Sequence, residues 1–131
     1  MQIYKKDSEM DKEAALFKVL ADPTRLRLAI LLAIKGETCV CMLADGLDMA
    51  EYKISRHLGI MRSAGIVEVR REGTWMHYKL SNPRNRLEEC LQDCFRDCLA
   101  NQLIVKADMK RLSKATCKNG ELKTIGRNRK C

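Results

Sequence analysis

The sequence predicts a mainly α (α+β) fold in which four helices precede a single β-hairpin and one long helix follows it. Three observations predict it. Apolar residues at helical spacing dominate the first half of the chain, from Ser8 to Ser63. The period then changes to two over Ile66-Val-Glu-Val-Arg-Arg71 and Thr74-Trp-Met-His-Tyr-Lys-Leu80, with Glu72-Gly73 between them, which is a hairpin signal. Helical spacing returns after Pro83. A short helix, a tight turn, a second helix and a basic hairpin, in that order, make a winged helix-turn-helix.

Each element has its own local cause. Ser8 to Leu20 is amphipathic, with Ala14, Ala15, Leu16, Val19 and Leu20 on one broad face. Asp22 is a good N-cap, and Pro23 suits the first helical position, where no backbone donor is missed. The helix from Pro23 to Ile34 is heavily apolar and belongs to the core; Gly36 ends it. A short helix is expected from Thr38, its cap, to Asp45, closed by Gly46. Ala50 to Ser63 follows, with Ile54, Leu58 and Met61 inward and Lys53, Arg56 and Arg62 outward. After the hairpin, one continuous helix is expected to carry Leu87, Cys90, Leu91, Cys94, Phe95, Cys98, Leu99 and Leu103 along a stripe suited to dimerisation. Beyond about Lys110 the pattern dissolves.

The bulk numbers set limits. The chain has 131 residues, enough for one domain, with 46% hydrophobic and 32% charged residues. Its longest apolar run, Leu28 to Ile34, is too short to span a bilayer, and no apolar run or cleavage site follows the N-terminal lysines. The expectation is a cytoplasmic protein with no membrane partner. Net charge is +8, but the segment 106–131 holds nine Lys and Arg against Asp108 and Glu121, so it carries +7 and the rest of the chain only +1. The expected division is therefore 1–105, a DNA-binding and dimerisation domain, and 106–131, a basic flexible tail. A DNA surface has to be sought in local clusters.

Five segments occur in one order: Leu20-Ala-Asp-Pro-Thr-Arg-Leu-Arg-Leu28, Gly36-Glu-Thr-Cys-Val-Cys-Met-Leu43, Ile54-Ser-Arg-His-Leu58, Arg62-Ser-Ala-Gly-Ile-Val67 and Arg70-Arg-Glu-Gly-Thr-Trp75. Together, over roughly residues 8 to 104, they resemble the arsenical-resistance-operon repressor (ArsR) family of metal-sensing winged-helix proteins. The resemblance implies a homodimer that occupies an inverted repeat in double-stranded operator DNA and leaves it when a thiophilic ion binds. Two positions depart from the family pattern. Arsenite sensors of the family often read Cys-Val-Cys-Asp-Leu-Cys, whereas this chain has Met42 and Ala44 at the last polar and sulfur positions. The frequent Ser-Gln-Pro or Ser-Gln-Ser before the recognition helix is replaced by Met49-Ala-Glu-Tyr-Lys53.

Candidate DNA contacts follow from the second helix and the hairpin. Lys53, Arg56 and His57 share a helix face, Ser55 is a short donor and acceptor, and Arg62 lies near the helix end. Arg70, Arg71 and Thr74 would form the wing. An Arg in the major groove can grip guanine through two hydrogen bonds, whereas Lys and wing residues more often bind phosphate. The plain alternative is a solvated helix face, and His57 could instead orient a neighbour.

Seven cysteines is an odd count, and with no export signal they read as free thiols, metal ligands or redox groups rather than structural disulfides, with packing as small core hydrophobes the plain alternative for Cys39 and Cys41. Cys39 and Cys41 are the primary metal candidates. On an ideal helix, residues two apart point about 200° away from each other, so the two sulfurs should meet only if the first turn unwinds. Cys90, Cys94 and Cys98 recur every four residues and form a second candidate site, or hold a missing ligand; packing at the dimer seam is the alternative. Cys117 and Cys131 lie in the tail, within reach of the first pair. Soft sulfur ligands favour As(III) or Sb(III) as the inducer and exclude magnesium, calcium and manganese.

The expected function is a non-enzymatic, metalloid-responsive transcriptional repressor. Within the same fold the inducer could be cadmium, lead or thiol oxidation; from a different class, the chain could be a cysteine-rich metal buffer or an interaction module. The sequence shows no Gly-rich phosphate loop, no nucleophile triad and no Cys-x-x-Cys redox pair, so no catalysis and no organic cofactor are expected.

Overall fold

The structure, a computed structural model, describes residues 3–116, with side chains described from Met10 onward. Cys117 and Cys131 lie outside the described residues. Four helices come first: α1 (Ile3–Leu20), α2 (Pro23–Lys35), α3 (Val40–Leu47) and α4 (Glu51–Ser63). The hairpin is β2 (Val67–Glu72) with β3 (Trp75–Leu80), and a two-residue strand, β1 (Thr38–Cys39), pairs with the other edge of β3. After the hairpin come α5 (Arg86–Asp93), a π-helical turn at Cys94–Cys98, and α6 (Leu103–Lys114).

Local chemistry explains the boundaries. The Asp22 carboxylate accepts hydrogen bonds from the Thr24 and Arg25 amides at 2.8 and 3.2 Å, capping α2 as expected. The hairpin turns at Gly73, whose φ of 65° an L-residue adopts only at a cost. The core lies between α2, α3, α4 and the sheet, where Leu28, Leu31, Leu43, Ile54, Leu58 and Met61 are fully buried. Burying a side chain of this kind contributes about 1.5–3 kcal/mol.

Four expectations need correction. The short helix begins at Val40, not Thr38. Thr38 and Cys39 are extended and join the sheet, opposite Tyr78 and His77, and the Thr38 hydroxyl donates to the Gly36 carbonyl. This helix also continues through Gly46 and is closed by Asp48, in the left-handed region at φ 56°. Gly46 is instead where α6 seats on α3: a Cβ there would come within 3.3 Å of Leu112 Cβ.

The single long C-terminal helix is in fact two. At Cys94–Cys98 the backbone widens, the Leu99 amide bonding back to the Cys94 carbonyl five residues earlier. The chain then turns at residues 99–102 and starts α6, capped by Gln102. The tail expected from 106 therefore begins inside a helix. Val105, Asp108 and Leu112 of α6 are buried against the core, because the helix has an apolar face that a continuous α5 could not have delivered to α3. The stripe expected for dimerisation is also used within the chain: Phe95 of the π turn is buried, and it lines a small apolar cavity with Leu16, Leu20, Ile66, Leu80 and Leu91.

Candidate thiol site and nucleic-acid interface

The thiol site sits at the junction of β1 and α3. Cys39 is the residue before the helix, with extended backbone (φ −83°, ψ 158°), and Cys41 is the second helical residue. Because only Cys41 is helical, the 200° divergence does not apply. The two sulfurs lie 3.9 Å apart with the first turn of α3 intact, so no unwinding is needed to bring them together. Both side chains are buried and form a small cluster with Met42, apart from the main core. Burial pushes the Cys39 thiol up, while the backbone amides of Met42, Cys39 and Cys41 at the helix start pull it down. An ion binding here would displace protons.

Cys39 is a thiol, whereas Cys41 is disulfide-bonded in this structure, so the pair presents two thiols to a soft ion only after reduction, and two sulfurs are the beginning of such a site rather than a complete one. Among the described residues, no three His, Cys, Asp or Glu side chains are gathered closely enough to hold a metal ion. Ala44, where family arsenite sensors often carry sulfur, is buried in the main core. The second candidate set lies on α5 and the π turn: Cys90 and Cys98 are exposed and Cys94 half-buried, all three as free thiols. Burial, with Cys98 nearby, pushes the Cys94 thiol up. The π turn interrupts the regular four-residue spacing that aligned them in sequence.

The expected nucleic-acid surface is α4 and the hairpin. Lys53, Ser55, Arg56 and Arg62 are exposed on α4 while Ile54, Leu58 and Met61 of the same helix are fully buried. His57 is half-buried, and its Nδ1 lies 3.3 Å from Arg25 Nη1, whose neighbouring Nε donates to the Val19 carbonyl at 2.7 Å. His57 therefore braces α4 against α2. Tyr52, absent from the expected set, is 68% exposed on α4 and carries a hydroxyl suited to phosphate. On the hairpin, Arg71 and Thr74 are exposed. Arg70 is exposed too but already engaged: it donates to Glu37 at 2.9 and 3.1 Å and to Glu72 at 3.2 Å. The Arg70 bonds hold the Glu37 carboxyl below its ordinary value.

Tertiary contacts absent from the sequence reading tie these parts together. Cys39 and His77 are directly opposite in the β1–β3 ladder, which puts their side chains on one face of the sheet. The His77 Nε2 atom is buried, 3.4 Å from a Glu72 carboxylate oxygen but without hydrogen-bond geometry. Asp108, fully buried on α6, accepts from Arg27 of α2 at 2.9 and 2.7 Å and from Arg111 at 2.7 Å; Arg111 also donates to the Gly46 carbonyl of α3. The signal for this lock was one carboxylate in an otherwise basic helical stretch.

A helix-turn-helix whose second helix turns Lys53 and Arg56 to solvent beside a two-stranded hairpin defines the winged-helix class of regulatory protein. Comparison with known proteins narrows the class. Residues 22–69 match the family described as bacterial regulatory protein, arsR family. The chain is 52% identical over 66 residues to the arsenical resistance operon repressor of Escherichia coli, which covers 50% of this chain and 56% of that protein. It is 46% identical over 74 residues to an uncharacterised helix-turn-helix transcriptional regulator of Methanocaldococcus jannaschii, covering 56% of this chain and 83% of that one. Among solved structures it is similar to a homodimeric winged helix-turn-helix DNA-binding domain from Mycobacterium bovis, described as a possible ArsR-family regulator: 32% identity, TM-score 0.61, 76% of this chain and 92% of that chain covered. The chain belongs to the ArsR family of transcriptional regulators. It spans little more than half the length of the Escherichia coli repressor that it matches. No helix among the described residues is long and apolar enough to cross a membrane.

Proposed function

We propose that this protein is a metalloid-responsive transcriptional repressor: it binds an inverted repeat in operator DNA as a homodimer and is released when As(III) or Sb(III) binds Cys39 and Cys41. The observation that carries this reading is the 3.9 Å approach of the two sulfurs at the start of α3, the helix that precedes α4. Its similarity to an Escherichia coli protein named for arsenical resistance supports the choice of inducer. The exposed Lys53, Ser55, Arg56 and Arg62 on α4, with Arg71 and Thr74 on the hairpin, supply the DNA contacts. Arg70 is held by acidic partners until DNA competes for it, and His57 positions α4.

The coupling route runs through hydrogen-bonded structure. Cys39 belongs to β1, and β1 pairs with β3 of the wing; Cys41 belongs to α3, which packs on α4. An ion that draws the two sulfurs together acts on both DNA-contacting elements. It favours the conformer with weaker DNA affinity, and by linkage DNA weakens ion binding by the same factor.

The test is a gel shift on the DNA upstream of the protein's own gene, under strict reduction, with arsenite, antimonite, cadmium and lead titrated separately. Release by arsenite or antimonite at the lowest concentration is the expected result. Release by cadmium or lead alone, or only after removal of reductant, would replace the inducer. Absence of a salt-dependent shift would replace the whole reading with a metal buffer.

A further inference from the structure

We propose that the outward face of α6 is a third DNA-contacting element: Lys110 and Lys114 bind backbone phosphates of the same duplex that α4 and the hairpin engage. The proposal rests on the reading of this protein as an operator-binding repressor and extends the surface assigned to it.

The charges of α6 are sorted by burial. Its 12 residues hold Lys106, Lys110, Arg111 and Lys114 against one carboxylate, Asp108. Asp108 is fully buried and is already matched by Arg27 and Arg111. Val105, Asp108 and Leu112 face the core, whereas Lys106, Lys110 and Lys114 are exposed. Residues four apart share a helix face, so the three ammonium groups form one row, with about 6 Å of axial rise between neighbours. No carboxylate of α6 is left on that face. Among the described residues none of the three lysines forms an ion pair, in contrast to Arg70, which Glu37 and Glu72 hold. These lysines surrender no protein partner on meeting a phosphate, and the counterions they release from the duplex favour binding.

The seat of α6 places the end of this row beside both proposed DNA contacts. Leu112 lies against Gly46 of α3, and Arg111 donates to the Gly46 carbonyl at 2.9 Å. These contacts hold the last turn of α6 on the first helix of the helix-turn-helix, the one that crosses the phosphate backbone in this class of domain. Lys114 lines a groove with Asp45, Asp48, Met49 and Ala50, where the chain turns into α4. One residue on, Ala115 borders a second groove with Trp75 and His77 of the wing strand β3. The last turn of α6 therefore lies between the start of the recognition helix and the hairpin.

A duplex that meets both elements brings its backbone past Lys114 and, one turn back, Lys110. Lys106 is a further turn back, about 12 Å from Lys114 along the axis, which exceeds the screening length of about 10 Å at 0.1 M salt. Phosphate carries no base identity, so the two lysines raise affinity without sequence preference.

Fluorescence anisotropy of the reduced full-length chain, on the DNA upstream of its own gene and on a scrambled duplex, tests this across a salt series. The variants are Lys110→Gln with Lys114→Gln, the same pair changed to Arg, Lys106→Gln, and Arg56→Ala as reference. The expected result is that the double Gln variant weakens binding to both duplexes alike and lowers the log–log salt slope by about two units. The double Arg variant, which keeps the charge, should retain the slope, and Lys106→Gln should leave it unchanged. An unchanged slope in the double Gln variant overturns the proposal. So does an equal loss in Lys106→Gln, which would make the effect one of total charge, or a lowered slope in the double Arg variant, which would make it one of folding. If Arg56→Ala weakens operator binding while the lysine variants do not, only the role of α6 falls. If the unsubstituted chain shows no salt-dependent binding, the repressor reading falls with it.

Discussion

Arg70, on the wing strand β2, grips the carboxylate of Glu37 through two hydrogen bonds of 2.9 and 3.1 Å, and Glu37 lies two residues before Cys39. A residue expected to bind phosphate is thus paired with the segment that leads into the thiol site. The pair is exposed, so it contributes little to stability. Its effect is on where the Arg70 charge can go. Glu37 competes with DNA for it, at a position that moves with β1.

Glu37→Gln should therefore strengthen operator binding and steepen its salt dependence by about one unit of log–log slope, because one more cation becomes available to phosphate. Fluorescence anisotropy across a salt series measures both. Unchanged affinity and slope would mean that Glu37 does not restrain Arg70.

The same pair carries a pH signature. Arg70 holds the Glu37 carboxyl below its ordinary value near 4.5, so the pair's contribution is present above that value and fades as pH falls through the depressed folded value. In an NMR titration the Glu37 side chain should titrate at higher pH in Arg70→Ala than in the unsubstituted protein. An unmoved midpoint would show that the ion pair is not populated in solution.

Arg56→Ala should weaken operator binding by about 1–3 kcal/mol, roughly a five- to 150-fold rise in Kd, if the exposed guanidinium reads a guanine. Arsenite stoichiometry should not change. Anisotropy on the operator and a thiol-competition titration test the two halves separately. His57→Ala should act differently, through the Arg25 brace, and should lower stability together with DNA affinity.

Cys39→Ser and Cys41→Ser should keep operator binding and lose the arsenite response. Replacing Cys90, Cys94 and Cys98 together by serine should leave that response in place, because those side chains lie on a different element and two of them face solvent. Arsenite release assayed by gel shift distinguishes the two groups. A lost response in the triple variant would return those cysteines to the site.

Asp108→Ala should destabilise the fold by about 3–5 kcal/mol, since it strands Arg27, and in part Arg111, without their carboxylate. The midpoint of urea denaturation reads this directly. Asp108→Asn should cost less, because the amide oxygen still accepts one of the bonds. Equal losses in the two would show that packing, rather than the ion pairs, seats α6.

Much of this molecule is legible in the chain because its causes are local. The Asp22–Pro23 cap, the inward Ile54, Leu58 and Met61, and the switch to period two after Ile66 each depend on residues a few positions apart, and these determined the winged-helix order. The exposed basic face of α4 follows from the same periodicity. Tertiary structure decided what depends on distant partners. Cys39 is drawn out of the helix by pairing with His77, which brings its sulfur to that of Cys41 with α3 intact. Arg27 and Arg111 bury Asp108 and turn an expected tail into a helix packed on α3. Glu37 claims an arginine that looked free. A short strand gains its hydrogen bonds, and a buried carboxylate its counter-charges, only once remote segments meet. No local pattern records that in advance.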